Sequence, residues 1–588
     1  MIIHDLVNLY NQLLKSGKIA KPGWQSVAIG YALVIDAAGN VIDLIPLYEE
    51  VARGNKTVLL PKKYTMPART KKASGVAADY IANNAKYILG IASSDANETD
   101  EKRQKNIKRA QECFLASKSL HHQILDGVED EFAHAILRFF DNWCTEEAKN
   151  NSIIMPYLSE LEKGALITFR FNGQFAHENQ VLINSWDKYY SDNSGELIGR
   201  CMITGEIDAI AKTHPAIMKL YGAQSSGANL VSFNAPAYCS YDSDKNPSAH
   251  FAAIGKSTAF AYTSALNYLL ADFERVQKIG NLTMLCWADN ADPNYADFQI
   301  SALFGETSAY SEDDLHAIAK RLAEGKPCND FDPDMQYHVL GLVPNAARIS
   351  VRFYWTGTFG NLIRNINAHH ERMQIQGSKF SSMPVWAMMK AVTNQKQRDK
   401  TPNPHLSDAV TRAIYTGTDY PFALLQSVML RISADRSVDW TKAAIIKGFY
   451  MKNKQYHFPK EALQVALNEE CKDTAYVLGR LFAVYEQIQE LANPGINTTI
   501  KDKFFSAAAA TPSMIFPQLD MLAMKHLKKM NKRRVYFESK IGKIKALLPE
   551  QNPIRQTLHE QGAFVLGYYH EREARFTKTK EDDENGSN

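Results

Sequence analysis

The chain has 588 residues, with 67 Lys and Arg against 64 Asp and Glu, for a net charge of +3. That length exceeds what one core supports and predicts two or three domains. A near-balanced charge makes nucleic-acid binding a question of whether basic residues are locally segregated. No apolar run approaches the roughly 18–20 residues of a membrane helix. The first residues, Met1 to Leu6, lack a basic-then-apolar leader, so a cytoplasmic protein is expected.

In chain order, the spacing of Leu6, Val7, Leu9, Tyr10, Leu13 and Leu14 predicts a helix over 4–15. Ala32–Ile35 and Val41–Ile45 flank Asp36-Ala37-Ala38-Gly39-Asn40, which predicts a β-hairpin. Residues 51–78 carry Arg53, Lys56, Lys62, Lys63, Arg69, Lys71 and Lys72 and no acid, and their prolines and Gly75 read as loop. A helix is expected over Ala77–Leu89, and 101–148 read as helical. Ala165–Phe171 and Arg348–Tyr354 read as strands. The polar, proline-containing stretch 394–406 is the expected domain boundary. Beyond it, 461–491, 513–546 and 553–570 read as helices. The fold class expected is therefore α+β: a mixed α/β region over 1–400, then an all-α bundle over 401–588, with a disordered tail from about 580.

Several segments have chemical interest. Residues 525–545 hold Lys525, Lys528, Lys529, Lys532, Arg533, Arg534, Lys540, Lys543 and Lys545 against one acid, Glu538. On one helix, 525, 528, 529 and 532 would share a face and could follow a phosphate backbone. Residues 222–234 are rich in small residues that let a backbone approach a phosphate or base, and Gln224 and Asn234 suit a base edge. Ala223-Gln-Ser-Ser-Gly227 falls short of a nucleophile elbow, because Ala stands at the first glycine position. Gly255-Lys256-Ser257 looks like the end of a phosphate loop, but His250 stands where its first glycine belongs; Lys256 keeps a possible backbone contact. The pairs His121-His122 and His369-His370 point apart on a helix and suit a metal poorly. Asp289, Asp292 and Asp297 read as turn chemistry rather than as a two-metal nuclease site. Seven scattered cysteines, none in a Cys-x-x-Cys pair, read as reduced thiols. No catalytic site, metal or cofactor is expected. The alternatives are a free-standing nuclease or hydrolase and a helical scaffold.

Arg69-Thr-Lys-Lys-Ala-Ser-Gly75, followed by Asn83-Asn-Ala-Lys-Tyr-Ile-Leu-Gly90, resembles the large subunit of type I-C CRISPR Cascade complexes, the Csd family. Gly222–Asn234 and Ala259–Leu269 are similar to that family's most recognisable block, and the likeness extends along essentially the whole chain. It implies a non-cutting part of an RNA-guided surveillance complex. The expected partners are a guide RNA (crRNA), target duplex DNA with its displaced strand, the Cascade backbone and foot subunits, and a recruited helicase–nuclease. A small subunit made from an internal start of the same gene is also implied, with Met451 as candidate and Met429 as alternative. The resemblance implies that the N-terminal region recognises the protospacer-adjacent motif (PAM) and helps open the duplex. On that basis Lys62, Lys63, Arg69, Lys71, Lys72, Asn83, Asn84, Gln224, Ser225, Ser226 and Asn234 are assigned near the motif. Lys525, Lys528, Lys529, Lys532, Arg533 and Arg534 are assigned to the displaced strand.

Overall fold

The computed structural model describes residues 1–53, 56–69, 76–92, 99–192, 197–233, 252–304, 312–328, 331–380, 382–398, 400, 402–530 and 533–585. The chain divides into two units: Met1–Pro215 with Val231–Tyr268, and Ala216–Leu230 with Leu269–Asn588.

The first unit begins with α1 (Ile2–Lys15), β1 (Trp24–Ile29), β2 (Tyr31–Ile35), β3 (Val41–Pro46), β4 (Tyr48–Arg53), β5 (Lys56–Pro67) and β6 (Ala82–Asn84). It continues through α2 (Ala85–Ile88), α3 (Asp100–Leu125), α4 (Glu131–Asn142), α5 (Leu158–Glu162), β7 (Leu166–Phe171), β8 (Gln174–Phe175) and α6 (Gln180–Asp192). The strands β9 (Ile198–Arg200) and β10 (Ile207–Ala209) and the helix α7 (Lys256–Ala271), through Tyr268, complete it. The expected hairpin forms, with Leu33 opposite Leu44. Asp36 ties its turn by accepting from the Ala38 and Asn40 amides, and Gly39 supplies the positive φ of 85°. Strands β3, β2, β7 and β6 form one sheet, in which β2 and β7 run parallel. Phe132, Ile136, Phe139 and Phe140 of α4 bury against Phe169 and Leu33.

Residues 51–67, read as loop, are instead the hairpin β4–β5 and an extension that pairs with β1. A proline normally breaks a ladder. Pro61 is tolerated because β5 changes partner there: residues 56–61 pair with β4 and 62–67 with β1. The helix expected over 77–89 shrinks to α2. Ile81 takes a left-handed φ of 50°, and Ala82–Asn84 pair with β7, which uses those amides in a sheet.

The second unit contains β11 (Gln277–Ile279), β12 (Leu282–Ala288), α8 (Pro293–Phe304), α9 (Glu312–Ala323), β13 (Gln336–Asn345) and β14 (Arg348–Thr358). Helices α10 (Phe359–Met373), α11 (Val385–Val392), α12 (Pro404–Thr416), α13 (Phe422–Asp435) and α14 (Trp440–Lys452) follow. The last five are α15 (Thr474–Ala492), α16 (Ile500–Ala510), α17 (Pro512–Leu527), α18 (Arg534–Lys545) and α19 (Leu558–Asn585). Four antiparallel strands, β11-β12-β13-β14, share one hydrophobic core with the helices, running from Ile279 to Tyr569.

The boundary expected at 394–406 therefore lies inside the second unit. Its prolines start a helix. Pro404 is at the first position of α12, and the Asn403 side chain caps it by accepting from the His405 and Leu406 amides. Helix α12 then inserts Leu406, Val410 and Ile414 into the shared core, and the Tyr415 hydroxyl accepts from Gln299 Nε2 at 2.8 Å. The tail expected to be disordered from about 580 continues α19 through Asn585, since extending a formed helix adds one hydrogen bond per residue.

Candidate nucleic-acid interface

In the first unit, Lys62 and Lys63 sit in β5 opposite Ile29 and Ala28, with both side chains exposed. Arg69 is held differently. Its Nε donates to Asp79 Oδ2 at 3.0 Å, and the Asp79 side chain is only 2% exposed. This arginine neutralises a buried carboxylate, so Arg69→Ala should lower stability by about 2 kcal/mol by leaving that charge without its guanidinium. Lys62→Ala should stay within about 0.5 kcal/mol of wild type, and denaturation of the two variants side by side checks both. Asn83, assigned to DNA from the sequence, is fully buried; its Oδ1 accepts from the Asn84 amide at 2.9 Å. It cannot reach a ligand without unfolding β6. Asn84 is half-buried and precedes α2. Lys71, Lys72, Asn234 and Lys532 lie outside the described residues.

Lys256 opens α7, and the helix start is already occupied. Asp208 accepts from the Ser257 amide at 3.0 Å and from the Ser257 hydroxyl. A carboxylate capping those donors opposes a phosphate at the same place. Lys256 is half-buried and, with Lys21, Asp187, Tyr190, Ile198 and Ile207, lines a cavity of about 580 Å³.

Gln224, Ser225 and Ser226 belong to the second unit. Ile217 bridges Ala228, and Asn229 joins the start of β14: its amide donates to Ala347 O at 2.9 Å and its carbonyl accepts from the Ile349 amide at 3.0 Å. The segment between closes as a tight turn, with the Gly227 amide donating to Gln224 O at 2.9 Å. Gly227 has φ +87°, and a Cβ there would sit 2.6 Å from Met218 Sδ, so only glycine fits. The three polar residues are exposed at the tip of a loop pinned at both ends. Such rigidity suits base reading, because little entropy is lost on contact.

The C-terminal basic segment is not one helical stripe. Helix α17 ends at Leu527 and α18 begins at Arg534, so Lys528 and Lys529 lie in the turn after α17. Lys525, Lys528, Lys529, Arg533 and Arg534 are exposed around this connection. Lys529 donates to Asn493 Oδ1 at 3.1 Å, and Arg534 pairs with Glu538 at 2.7 Å. Lys540 and Lys545 are committed to Glu571 and Asp520. The expected run of nine cations thus reduces to a smaller cluster between two helices.

The histidines and aspartates weighed for catalysis have partners within the fold. His121 donates to Ser117 O at 2.7 Å and accepts from the Ile81 amide at 3.1 Å; burial pushes its pKa down to about 4. His369 and His370 bond to the Met383 and Ala302 carbonyls at 3.0 and 2.7 Å. Asp289 pairs with His338, and Asp297 with Arg275, both at 2.7 Å. Among the described residues no three His, Cys, Asp or Glu side chains converge as a metal site would require, and no helix is long and apolar enough to cross a membrane.

The sequence reading passed over two features. The Asp208 cap on α7 joins residues 49 apart, so no local pattern reveals it. The exposed aromatics Phe380 and Trp386 lie among basic residues just before the supposed boundary, and that interleaving was legible in the sequence.

A search of curated proteins finds no match to the chain. A family model described as CRISPR-associated protein (Cas_Csd1) matches residues 6–576. That span takes in both units, every exposed basic segment described above and nearly all of the chain, so this protein belongs to the CRISPR-associated Csd1 family, a Cascade-type family.

Proposed function

We propose that this protein is the large subunit of a type I-C RNA-guided surveillance complex acting in the cytoplasm. It reads the protospacer-adjacent motif, helps open the duplex, holds the displaced strand and supports a recruited helicase–nuclease, without catalysis of its own. The family match over residues 6–576 carries the reading. Its physical support is the separation of two kinds of exposed site: the pinned polar loop Gln224–Ser226, suited to a base edge, and the cation groups at Lys62–Lys63 and Lys525–Arg534, suited to phosphates. Base pairing with guide RNA reads most of the target in such a scheme, and the protein reads only the short motif and the backbone, as described for another RNA-guided effector.

The same gene supplies a small subunit from an internal start. A start at Met451 removes Tyr450, whose ring lies 3.8 Å from that of Phe458 and whose hydroxyl meets His559 Nδ1 at 2.8 Å. A start at Met429 begins inside α13 and keeps all of α14, which favours it as the better-packed product.

The test assembles the complex with guide RNA and measures binding to matched duplexes with and without the flanking motif. Gln224→Ala should cut the preference for the motif about tenfold, within the range for losing one bidentate base contact. Lys62→Ala/Lys63→Ala should weaken both duplexes alike and flatten the salt dependence. A wild-type complex that neither takes up guide RNA nor responds to the motif would overturn the reading.

A further inference from the structure

We propose that the face carrying Phe380, Trp386 and Trp440 in the second unit is a stacking platform for an unpaired base of single-stranded DNA. The inference deepens the proposed function and rests on its claim that a displaced strand is held.

Trp386 is 42% exposed on α11 and Phe380 is 45% exposed on the segment before it, whereas Trp24, Trp186 and Trp287 are buried and the other three tryptophans are at least half-buried. Leaving two large rings in water forgoes a substantial hydrophobic gain, and an exposed apolar patch on a folded unit marks a contact surface. The rings pack against one another. Phe380 meets Trp386 edge-to-face at 5.9 Å and Trp440 at 5.6 Å.

The backbone beneath is fixed. The Gln376 amide donates to Val465 O at 2.8 Å, and Gln376 O accepts from the Tyr569 hydroxyl at 2.7 Å. Phe380 and Trp440 also border a cavity of about 310 Å³ lined by Met373, Ile375, Met383 and Val465 together with Gln374 and Ser382, while the polar atoms of His370 and Ser378 on its wall are bonded within the fold. That is the low end of the size range of small-molecule sites and suits one planar base.

Charge identifies the occupant. From Arg372 to Arg398 the sequence carries Arg372, Lys379, Lys390, Lys396 and Arg398 and no acid. Lys379 adjoins Phe380. Lys390 lies one turn beyond Trp386 on the exposed side of α11, and neither lysine forms an ion pair with a described residue. Two acids lie on packed elements: Glu573 of α19, whose Oε2 would stand 2.6 Å from a Cβ on Gly377, and Asp439, whose carboxylate is engaged by the Lys442 amide at 2.9 Å and the Lys442 ammonium at 3.7 Å. Aromatic faces interleaved with cations are the arrangement that binds single strands, where each base exposes a face and each nucleotide a phosphate. A duplex hides its base faces, and an apolar protein partner has no use for the lysines.

The test titrates the full chain with a fluorescein-labelled 20-nucleotide oligothymidylate and with an abasic backbone of equal length. Anisotropy and tryptophan fluorescence are read at several salt concentrations. Trp386→Ala should weaken oligothymidylate binding about tenfold, lose most of the tryptophan quenching, and leave abasic binding and the salt slope unchanged. Trp386→Phe should restore most of the loss. Lys379→Ala/Lys390→Ala should weaken both probes and reduce the slope. Equal binding by wild type and Trp386→Ala, or an equal loss on the abasic probe, overturns the platform while leaving the proposed function standing. So does a Trp386→Ala chain that binds oligothymidylate normally but fails to assemble with the other subunits, which would make the face a protein contact. Tighter binding of oligouridylate than of oligothymidylate overturns the assignment to DNA. Failure of wild type to bind either probe removes the proposed strand-holding role itself.

Discussion

Gly567→Ala lowers the stability of the second unit by about 3 kcal/mol, at the upper end of the cost of overpacking. A Cβ at Gly567 would stand 2.0 Å from Tyr476 O, and one at Gly479 would stand 2.0 Å from Phe564 O. Each glycine faces a carbonyl of the opposite helix, so α15 and α19 touch backbone to backbone. In most overpacked sites a side chain swings away, but here the obstacle is the main chain. The two helices must move apart, and that loosens the rings wedged beside them. Phe482 meets Phe564 at 5.9 Å and Tyr568 at 6.0 Å, both edge-to-face. Gly542→Ala on α18 is the control. Its Cβ would meet nothing within 4 Å, so the change should stabilise by about 0.5–1 kcal/mol through helix propensity alone. Hydrogen exchange of the α15 and α19 amides separates the outcomes in a chain whose two units need not unfold together. If Gly567→Ala protects these amides as well as Gly542→Ala does, the close approach is not what holds the bundle.

Glu571→Gln destabilises by about 3–4 kcal/mol, the range for removing one member of a buried ion group. The Glu571 side chain is 2% exposed and accepts from Arg480 Nε at 2.9 Å and from Lys540 Nζ at 2.6 Å. Arg480 is itself only 5% exposed and also donates to Glu469 O at 2.9 Å. With glutamine at 571, two cations face each other across the α15, α18 and α19 packing with no counter-charge. Adding Arg480→Met should recover most of the loss. The remaining cation, Lys540, is 25% exposed and can turn to water, and methionine fills the vacated space. A double-mutant cycle by chemical denaturation measures the coupling. Strict additivity would mean that the triad contributes no mutual stabilisation. These two changes also bear on function, because α18 begins at one edge of the exposed Lys525–Arg534 cluster. A loosened bundle should bind the displaced strand less well although none of its surface cations has changed.

Local pattern made much of the fold legible. The hairpin at 31–46, the strands at 166–171 and 348–358 and the C-terminal helices follow from alternation, helical spacing and turn residues within a few positions of one another. The errors share one cause. Pro61, Asn83 and Pro404 each look like loop or surface residues on their own. Their true settings depend on β1, β7 and the shared core of the second unit, all distant in sequence. The basic segments were equally visible as charge counts, but a count cannot tell a free cation from one already paired. Arg69, Lys540 and Lys545 are spent on Asp79, Glu571 and Asp520.

By itself, the sequence determined the family, the α+β class and the presence of local basic segments, because these reside in composition and in short-range order. Only the tertiary structure decided where the units part, which cations face solvent, that Asp208 occupies the start of α7, and that Phe380, Trp386 and Trp440 meet on one face. Burial and charge pairing join residues far apart in the chain, and no local window contains both partners.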